Sequence, residues 1–182
     1  MSGAVLLVRH TQVARRWHGR CYGVSDMGLS RAGHAEARAL AGSLAAWRPE
    51  AIVHSGIKRT AVLAAFVAAQ AGVPARAIPA WRERDFGSWE GLSWNAIYRA
   101  TGNAMDGMID APDVFRPGGG ETTMALAARA MAAVNDLPPG RVLVITHGGP
   151  IAAILGSRPG RPPRDWSALV PPTGGSVQLT RA

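Results

Sequence analysis

Arg9 and His10 stand side by side directly after the apolar run Val5-Leu6-Leu7-Val8. His147 follows a second such run, Arg141 to Thr146, and a third, Ala51 to His54, leads through Ser55 to Lys58 and Arg59. Guanidinium forks match the oxygens of a phosphoryl group, and a neutral imidazole nitrogen is able to attack phosphorus. Taken singly, His10 or His147 reads as a loop histidine satisfied by backbone. At equivalent places after three apolar runs they point instead to a shared site, since open α/β sheets bind ligands beyond the carboxyl ends of their strands.

That reading requires the three runs to be neighbouring strands, and the rest of the chain is patterned to allow it. Val5 to Val8, Ala51 to His54 and Arg141 to Thr146 read as short buried strands, with Ala75 to Ile78 and Val177 to Thr180 as two more. Between them lie an alanine-rich helix from the N-cap Ser30 to about Trp47, a helix over Lys58 to Ala71 closed by Gly72 and Pro74, and a helix over Thr122 to Asp136. A further helix is expected over Trp94 to Thr101 and a short one over 150 to 156. Residues 11 to 29 and 157 to 175 read as loop, as does Arg116 to Gly120. Strands alternating with helices predict an α/β fold with a mostly parallel sheet in one domain spanning 1 to 182, with no internal repeat. Residues 81 to 120, the least regular part, are expected to form part of a lid over the site.

Composition narrows the partners. The chain has 182 residues, 47% of them apolar, and a formal net charge of +8 carried almost wholly by arginine, Lys58 being the sole lysine. Such a surface suits anionic ligands. Nucleic acid is disfavoured as a partner because the arginines are scattered and no aromatic stripe alternates with them. Cys21 is the single cysteine, which excludes an intrachain disulfide and suits a reducing compartment. No apolar run approaches the ~20 residues that span a bilayer, and the segment before Arg9 is too short for a signal-peptide core. A cytoplasmic protein, monomer or homodimer, with no membrane partner, is expected.

Several motifs in order carry a resemblance. VRHT at 8 to 11, followed by Gly23, Asp26, Leu29, Ser30 and Gly33 in the spacing GxxDxxLSxxG, resembles the histidine phosphatase superfamily, with its phosphoglycerate-mutase-like fold. HSGIKRT at 54 to 60 is similar to that family's second phosphate loop, and ERDFGSWEG at 83 to 91 to its general-acid segment. PGGGETTMALAAR at 117 to 129 and VITHGGPI at 144 to 151 complete the order. The resemblance implies a three-layer α/β/α sandwich and a metal-independent, cofactor-independent phosphomonoesterase acting on a small-molecule phosphate ester. It implies His10 as the nucleophile that becomes phosphohistidine and Glu83 as the general acid, then base. Arg9, Arg59 and His147 bind the phosphoryl oxygens, with Thr11, Tyr22, Gly23 and Gly148 lining the pocket. Asp85 and Glu90 are expected to be structural. CYGVSDMGLS and FGSWEG look most like the α-ribazole phosphatases of cobalamin synthesis, which makes α-ribazole 5′-phosphate the leading substrate. The basic mouth favours a substrate with a second anionic group.

The sequence departs from the family at Thr11, where glycine is usual, at Gln12, Val13 and Gly56, and at Gly120, an extra glycine. Other chemistries lack their motifs. The five histidines, His10, His18, His34, His54 and His147, form no HxH or HExxH pattern, and a metal site is not expected. Met27 stands where a C-x5-R phosphatase starting at Cys21 needs arginine, and no GxSxG elbow or Walker loop is present. The alternatives are a phosphoglycerate mutase, disfavoured because the segment between Glu83 and His147 is too short for a water-excluding lid, and a non-catalytic anion- or nucleic-acid-binding module.

Overall fold

The computed structural model describes residues 3–180. Five strands form one sheet: β1 (Ala4–Arg9), β2 (Ala51–His54), β3 (Ala75–Ala77), β4 (Arg141–Thr146) and β5 (Ser176–Thr180), in the order β3-β2-β4-β1-β5. All pairs are parallel except β5, which runs antiparallel along the outer edge of β1.

Alternation along the strands explains the layers. Val5, Leu7, Val53, Val142 and Val144 point to one face, where they meet Ala130, Val134, Ile151 and Ile154. Val8, Ile52, Leu143 and Ile145 point to the other, against Ala37, Ala41, Leu63 and Val67. The first set of partners belongs to α5 (Thr123–Asn135) and α6 (Gly148–Ser157), the second to α1 (Arg31–Ala46) and α2 (Lys58–Ala71). A sheet covered on both faces requires apolar residues at consecutive positions, which is why β1 and β4 read as unbroken apolar runs. The result is the expected three-layer sandwich.

Two short helices, α3 (Trp94–Thr101) and α4 (Gly107–Asp110), lie between β3 and α5. They pack on a small separate cluster in which Cys21, Trp89 and Ile97 are buried and Phe86, Trp94, Met105 and Phe115 partly so. Cys21 is thus a packing residue, its thiol pushed up to about 12 by burial and by the Glu90 charge. Among the described residues no helix is long and apolar enough to cross a membrane.

Local expectations differ in places: the loops expected at 11 to 29 and Arg116 to Gly120 each hold a short 3-10 helix, Arg15–Trp17 and Pro117–Gly119. The last long helix begins at Gly148, not 150, with His147 as its N-cap; the Gly-Gly pair reads as loop in the sequence, yet the chain turns directly from β4 into α6. The one-turn α4 has no apolar period to announce it. Residues 157 to 175 are not all loop: Pro163–Leu169 is a 3-10 helix, and it buries Trp166 against Ala152, Ala153 and Leu126.

Candidate active site

Register brings the chemistry together. β1 and β4 are adjacent, with Arg9 opposite Thr146, so His10 and His147 leave the sheet side by side, their ring centroids 5.3 Å apart. β2 flanks β4 on its other edge, with His54 opposite Ile145, which brings Ser55 to the same level. His10, Ser55, Arg59 and His147 are all buried. The three strand ends converge at one crevice.

The protonation of His10 follows from its neighbours. Its Nδ1 lies 2.8 Å from the carbonyl oxygen of Thr11. A carbonyl only accepts, so Nδ1 carries a hydrogen. Burial, then the charges of Arg59 and Arg9, lowers the His10 pKa to about 3, which makes the ring neutral at physiological pH. The lone pair is therefore on Nε2, the atom available as a nucleophile. Thr11 contributes through this carbonyl. Its hydroxyl donates to Gly33 O at 2.8 Å, turned toward α1. A threonine fits where glycine is usual because φ is not positive here: among the described residues Arg48 is the sole non-glycine with φ in that region. Gly33 is required by this contact, since a Cβ there would lie 2.0 Å from Gln12 O.

His147 is also neutral, its pKa lowered well below the usual range first by complete burial and then by Arg59, His10 and Arg9. Arg59 Nε donates to its Nδ1 at 3.2 Å. Its Nε2 lies 2.8 Å from Ser55 Oγ, Ser55 Oγ 2.8 Å from Thr60 Oγ1, and Thr60 Oγ1 donates to Ile57 O at 2.8 Å. Only one proton arrangement satisfies all four bonds: His147 Nε2–H donates to Ser55, Ser55 to Thr60, and Thr60 to the carbonyl.

Arg59 extends past His147 to the loop that precedes α1. Its Nη1 and Nη2 donate to Ser25 O and Gly23 O, and its guanidinium lies 5.5 Å from the centroid of the Tyr22 ring. The loop is held from the other side by Glu90, whose carboxylate accepts from the backbone N–H of Gly23, Val24, Ser25 and Phe86 and from the Ser25 hydroxyl. Asp26 accepts from Lys58 N at 2.8 Å and pairs with Lys58 Nζ at 3.1 Å, which caps α2 from a distance, Ile57 having no side chain to do so. Arg9 Nη1 donates to Pro171 O at 2.8 Å, while its Nε is a buried donor with no acceptor among the described residues. Such a donor calls for an acceptor from outside the protein, a water or an anion oxygen.

Glu83 approaches from the segment after β3. Oε1 accepts from Arg84 N at 2.9 Å and Oε2 from Gly149 N at 3.1 Å, so the carboxylate sits at the N-terminus of α6. Gly149 leaves room for it, since a Cβ there would lie 2.1 Å from Oε1. Arg129 secures this segment by donating to the carbonyls of Ala80, Arg82 and Glu83 and by pairing with Glu121 at 2.7 Å. A cavity of about 490 Å³ opens over these groups, with Arg9, Glu83, Gly148 and Gly149 at its base and Tyr22 in its wall. Arg20, Arg84, Phe86, Trp94, Met105 and Met108 also line it, with Ser167 and Val170.

Most of the residues singled out from the sequence therefore meet at one place. Gly23 acts through its backbone, and Asp85 turns to Gly87 N. His18 and His34 are exposed and away from the cavity. Of the tryptophans, Trp81 and Trp89 are buried and Trp94 lines the cavity. Sequence reasoning missed Ser55 as the partner of His147 and Thr60 as the partner of Ser55, and Arg84 and Arg20 as cavity residues. The HSGIKRT segment contained the first pair, but nothing in it indicates that a serine so near a strand end faces a histidine 92 positions away.

A sequence profile described as histidine phosphatase superfamily, branch 1, matches residues 5–181. The chain belongs to the histidine phosphatase superfamily. Phosphoric monoester hydrolysis is the reaction class that goes with that membership. This histidine phosphatase is 32% identical over 157 residues to a metal-independent phosphoserine phosphatase of Arabidopsis thaliana, a match covering 82% of the chain but only 66% of the relative. It is 30% identical over 178 residues to the glucosyl-3-phosphoglycerate phosphatase of Mycobacterium tuberculosis, covering 91% of the chain and 79% of that protein. The native structure of mycobacterial glucosyl-3-phosphoglycerate phosphatase superposes with a TM-score of 0.87 at 27% identity, over 99% of this chain and 91% of that one. The α-ribazole phosphatase of Shigella flexneri, 19% identical with a TM-score of 0.84 over 96% and 89% of the two chains, shares the fold.

Proposed function

We propose that this histidine phosphatase hydrolyses a small phosphomonoester in two steps at His10, without a metal. The observation that carries the reading is the pairing of a neutral His10, its lone pair fixed on Nε2 by the Thr11 carbonyl, with the unmatched buried donor of Arg9 beside it. Arg9, Arg59 and the backbone N–H of Gly148 receive the phosphoryl oxygens and stabilise the charge that builds on them, the N–H of Gly149 being taken by Glu83. Nε2 forms a bond to phosphorus as the ester P–O bond breaks, and protonated Glu83 gives its proton to the departing alkoxide. The phosphohistidine then meets water. Glu83 takes the water's proton, oxygen bonds to phosphorus, and the P–N bond breaks to return neutral His10 and phosphate. The residues from Arg84 to Met108 form the cover over the leaving group, in keeping with a lid drawn from 81 to 120.

The α-ribazole 5′-phosphate assignment rests on CYGVSDMGLS and FGSWEG. These two segments bind each other: Glu90 of the second accepts from Gly23, Val24 and Ser25 of the first. Their mutual contacts hold the 23 to 25 loop against Arg59, and from these segments Tyr22 and Phe86 line the cavity. α-Ribazole 5′-phosphate therefore remains one arm of the test, beside the phosphoserine and glucosyl-3-phosphoglycerate for which relatives are named. The test is phosphate release from these three esters in excess chelator, by wild type and His10→Ala, with rapid quench for an acid-labile phosphoenzyme. Chelator-resistant turnover and phosphoenzyme, both lost in His10→Ala, are expected. Turnover by folded His10→Ala at the wild-type rate overturns the mechanism.

A further inference from the structure

Glu83 lies on a stretch of chain without regular structure. Residues 82 to 86 belong to neither helix nor strand, so no backbone ladder sets where the carboxylate points. The carbonyls of such a stretch still need donors. Four consecutive ones find them in side chains. Trp81 O accepts from the Thr146 hydroxyl at 2.7 Å. Ala80 O, Arg82 O and Glu83 O accept from Arg129 at 2.8, 2.9 and 3.4 Å.

One guanidinium thus holds three carbonyls around the general acid. Its own orientation is fixed by Glu121, whose two carboxylate oxygens take Nε at 2.9 Å and Nη2 at 2.7 Å. Two parallel bonds of this kind leave the fork no freedom to turn, and both side chains are largely shielded from solvent. Glu121 is tied to the same stretch through its backbone, its N–H donating to Asp85 O at 2.8 Å.

Both ends of Glu83 are referenced to one layer of the fold. Arg129, which holds the carbonyl end, is on α5, whose Ala130 and Val134 pack in the core on one face of the sheet. The carboxylate end meets Gly149 N on α6, whose Ile151 and Ile154 are in that same core. The reach of the acid toward the leaving group therefore depends on where Arg129 holds its backbone, and a misplacement of about 1 Å costs on the order of 10²-fold in rate. Arg129 does not line the catalytic cavity. It lines a second one, of about 460 Å³, whose lining has Glu83 alone in common with the first.

We infer that Arg129, locked by Glu121, is the positioning residue for the general acid: it sets the place of Glu83 and takes no part in binding phosphate. This deepens the hydrolase reading above and rests on it.

Leaving-group dependence separates positioning from plain support. An alkyl ester needs the proton of Glu83 as it departs, and the ester of an acidic phenol needs it far less. The readout is the ratio of kcat/KM for glycerol 3-phosphate to that for p-nitrophenyl phosphate, with vanadate affinity measured beside it. Wild type is compared with Arg129→Ala, Arg129→Lys, Glu121→Gln and Glu83→Gln. Arg129→Ala is expected to lower the ratio about 10²-fold, toward that of Glu83→Gln. Vanadate affinity is expected to stay within about threefold of wild type, because uniform binding by Arg9 and Arg59 is untouched. Arg129→Lys is expected to fall between, since one ammonium keeps the charge but cannot span three carbonyls and a carboxylate. Glu121→Gln frees the fork to turn and is expected to move the ratio the same way by a smaller factor. These two conservative variants carry the test if Arg129→Ala does not fold.

A lower Tm with an unchanged ratio in both conservative variants reduces Arg129 to structural support and overturns the inference. So does vanadate affinity that falls in step with activity, which would place Arg129 in phosphate binding. An unchanged ratio in Glu83→Gln removes the acid, and the inference with it, while leaving attack by His10 in place. Failure of folded wild type to release phosphate from either ester overturns the hydrolase reading itself.

Discussion

Arg59 Nε donates to Nδ1 of His147 at 3.2 Å. Two groups commonly counted together as cations over a phosphate are here donor and acceptor to each other. A protonated Nδ1 could not accept, so the bond itself requires a neutral His147. The imidazole then acts as a buried strut that aims the Arg59 fork, and its other nitrogen passes the constraint through Ser55 to Thr60 and the Ile57 carbonyl.

Ser55→Ala tests the strut. Removing the hydroxyl leaves His147 Nε2–H buried without an acceptor, at a cost of about 1–3 kcal/mol. Stability is expected to fall by that amount in urea denaturation. kcat/KM is expected to fall about tenfold or more as the ring loses its fixed tautomer. Nitrogen-15 NMR of His147 provides the specific readout: a single Nε2–H tautomer in wild type, a mixture in the variant.

Glu90→Gln tests the loop anchor. One carboxylate accepts from four backbone N–H groups and one hydroxyl, and an amide offers one acceptor atom in place of two. A loss of at least about 2 kcal/mol is expected. Faster proteolytic cleavage within residues 11 to 29 and weaker vanadate or phosphate binding should accompany it, because Gly23 and Ser25 also receive Arg59. Unchanged phosphate affinity would show that Arg59 does not depend on this loop.

Glu83→Gln separates acid catalysis from binding. A proton donor matters in proportion to the basicity of the leaving oxygen. Turnover of an alkyl phosphate is expected to drop by about 10²–10⁴-fold, while that of an aryl phosphate with an acidic phenol falls much less. Gly149→Ala should reproduce the pattern in milder form, since the added methyl displaces the same carboxylate. Equal losses on both esters would remove Glu83 from the general-acid role.

Stability should weaken on acidification below pH 6.5. His10 has its pKa lowered from 6.5 to about 3, and His147 is lowered well below 6.5. Between those limits the unfolded chain binds protons that the folded one refuses, so the free energy of unfolding falls as pH falls. Wild-type Tm is expected to decline from about pH 6.5 toward pH 3, and His10→Asn to decline less steeply across the same window. Parallel curves would show that His10 takes up a proton without unfolding the site.

The sequence on its own determined a good deal. Short β-branched apolar runs at 5 to 8 and 142 to 145, alternating with helical patterns, read as strands covered on both faces, which predicts the layered architecture. Polar residues after such runs must lie at the sheet's carboxyl edge, which predicted His10, Arg59 and His147 as neighbours. The ordered motifs named Glu83. What remained undetermined depends on which atoms face each other. Thr11 reads as a pocket residue, yet its hydroxyl bonds Gly33 and only its carbonyl serves His10. Ser55 and Arg84 carry no local signal: one matters because β2 is adjacent to β4, the other lines the cavity because Glu121 and Thr123 hold it there. The tautomers of both histidines follow from contacts with a carbonyl and a guanidinium N–H. Hydrophobic period is a property of consecutive residues and survives in one dimension. Hydrogen-bond direction depends on groups far apart in the chain, and only the packed sheet brings them within about 3 Å.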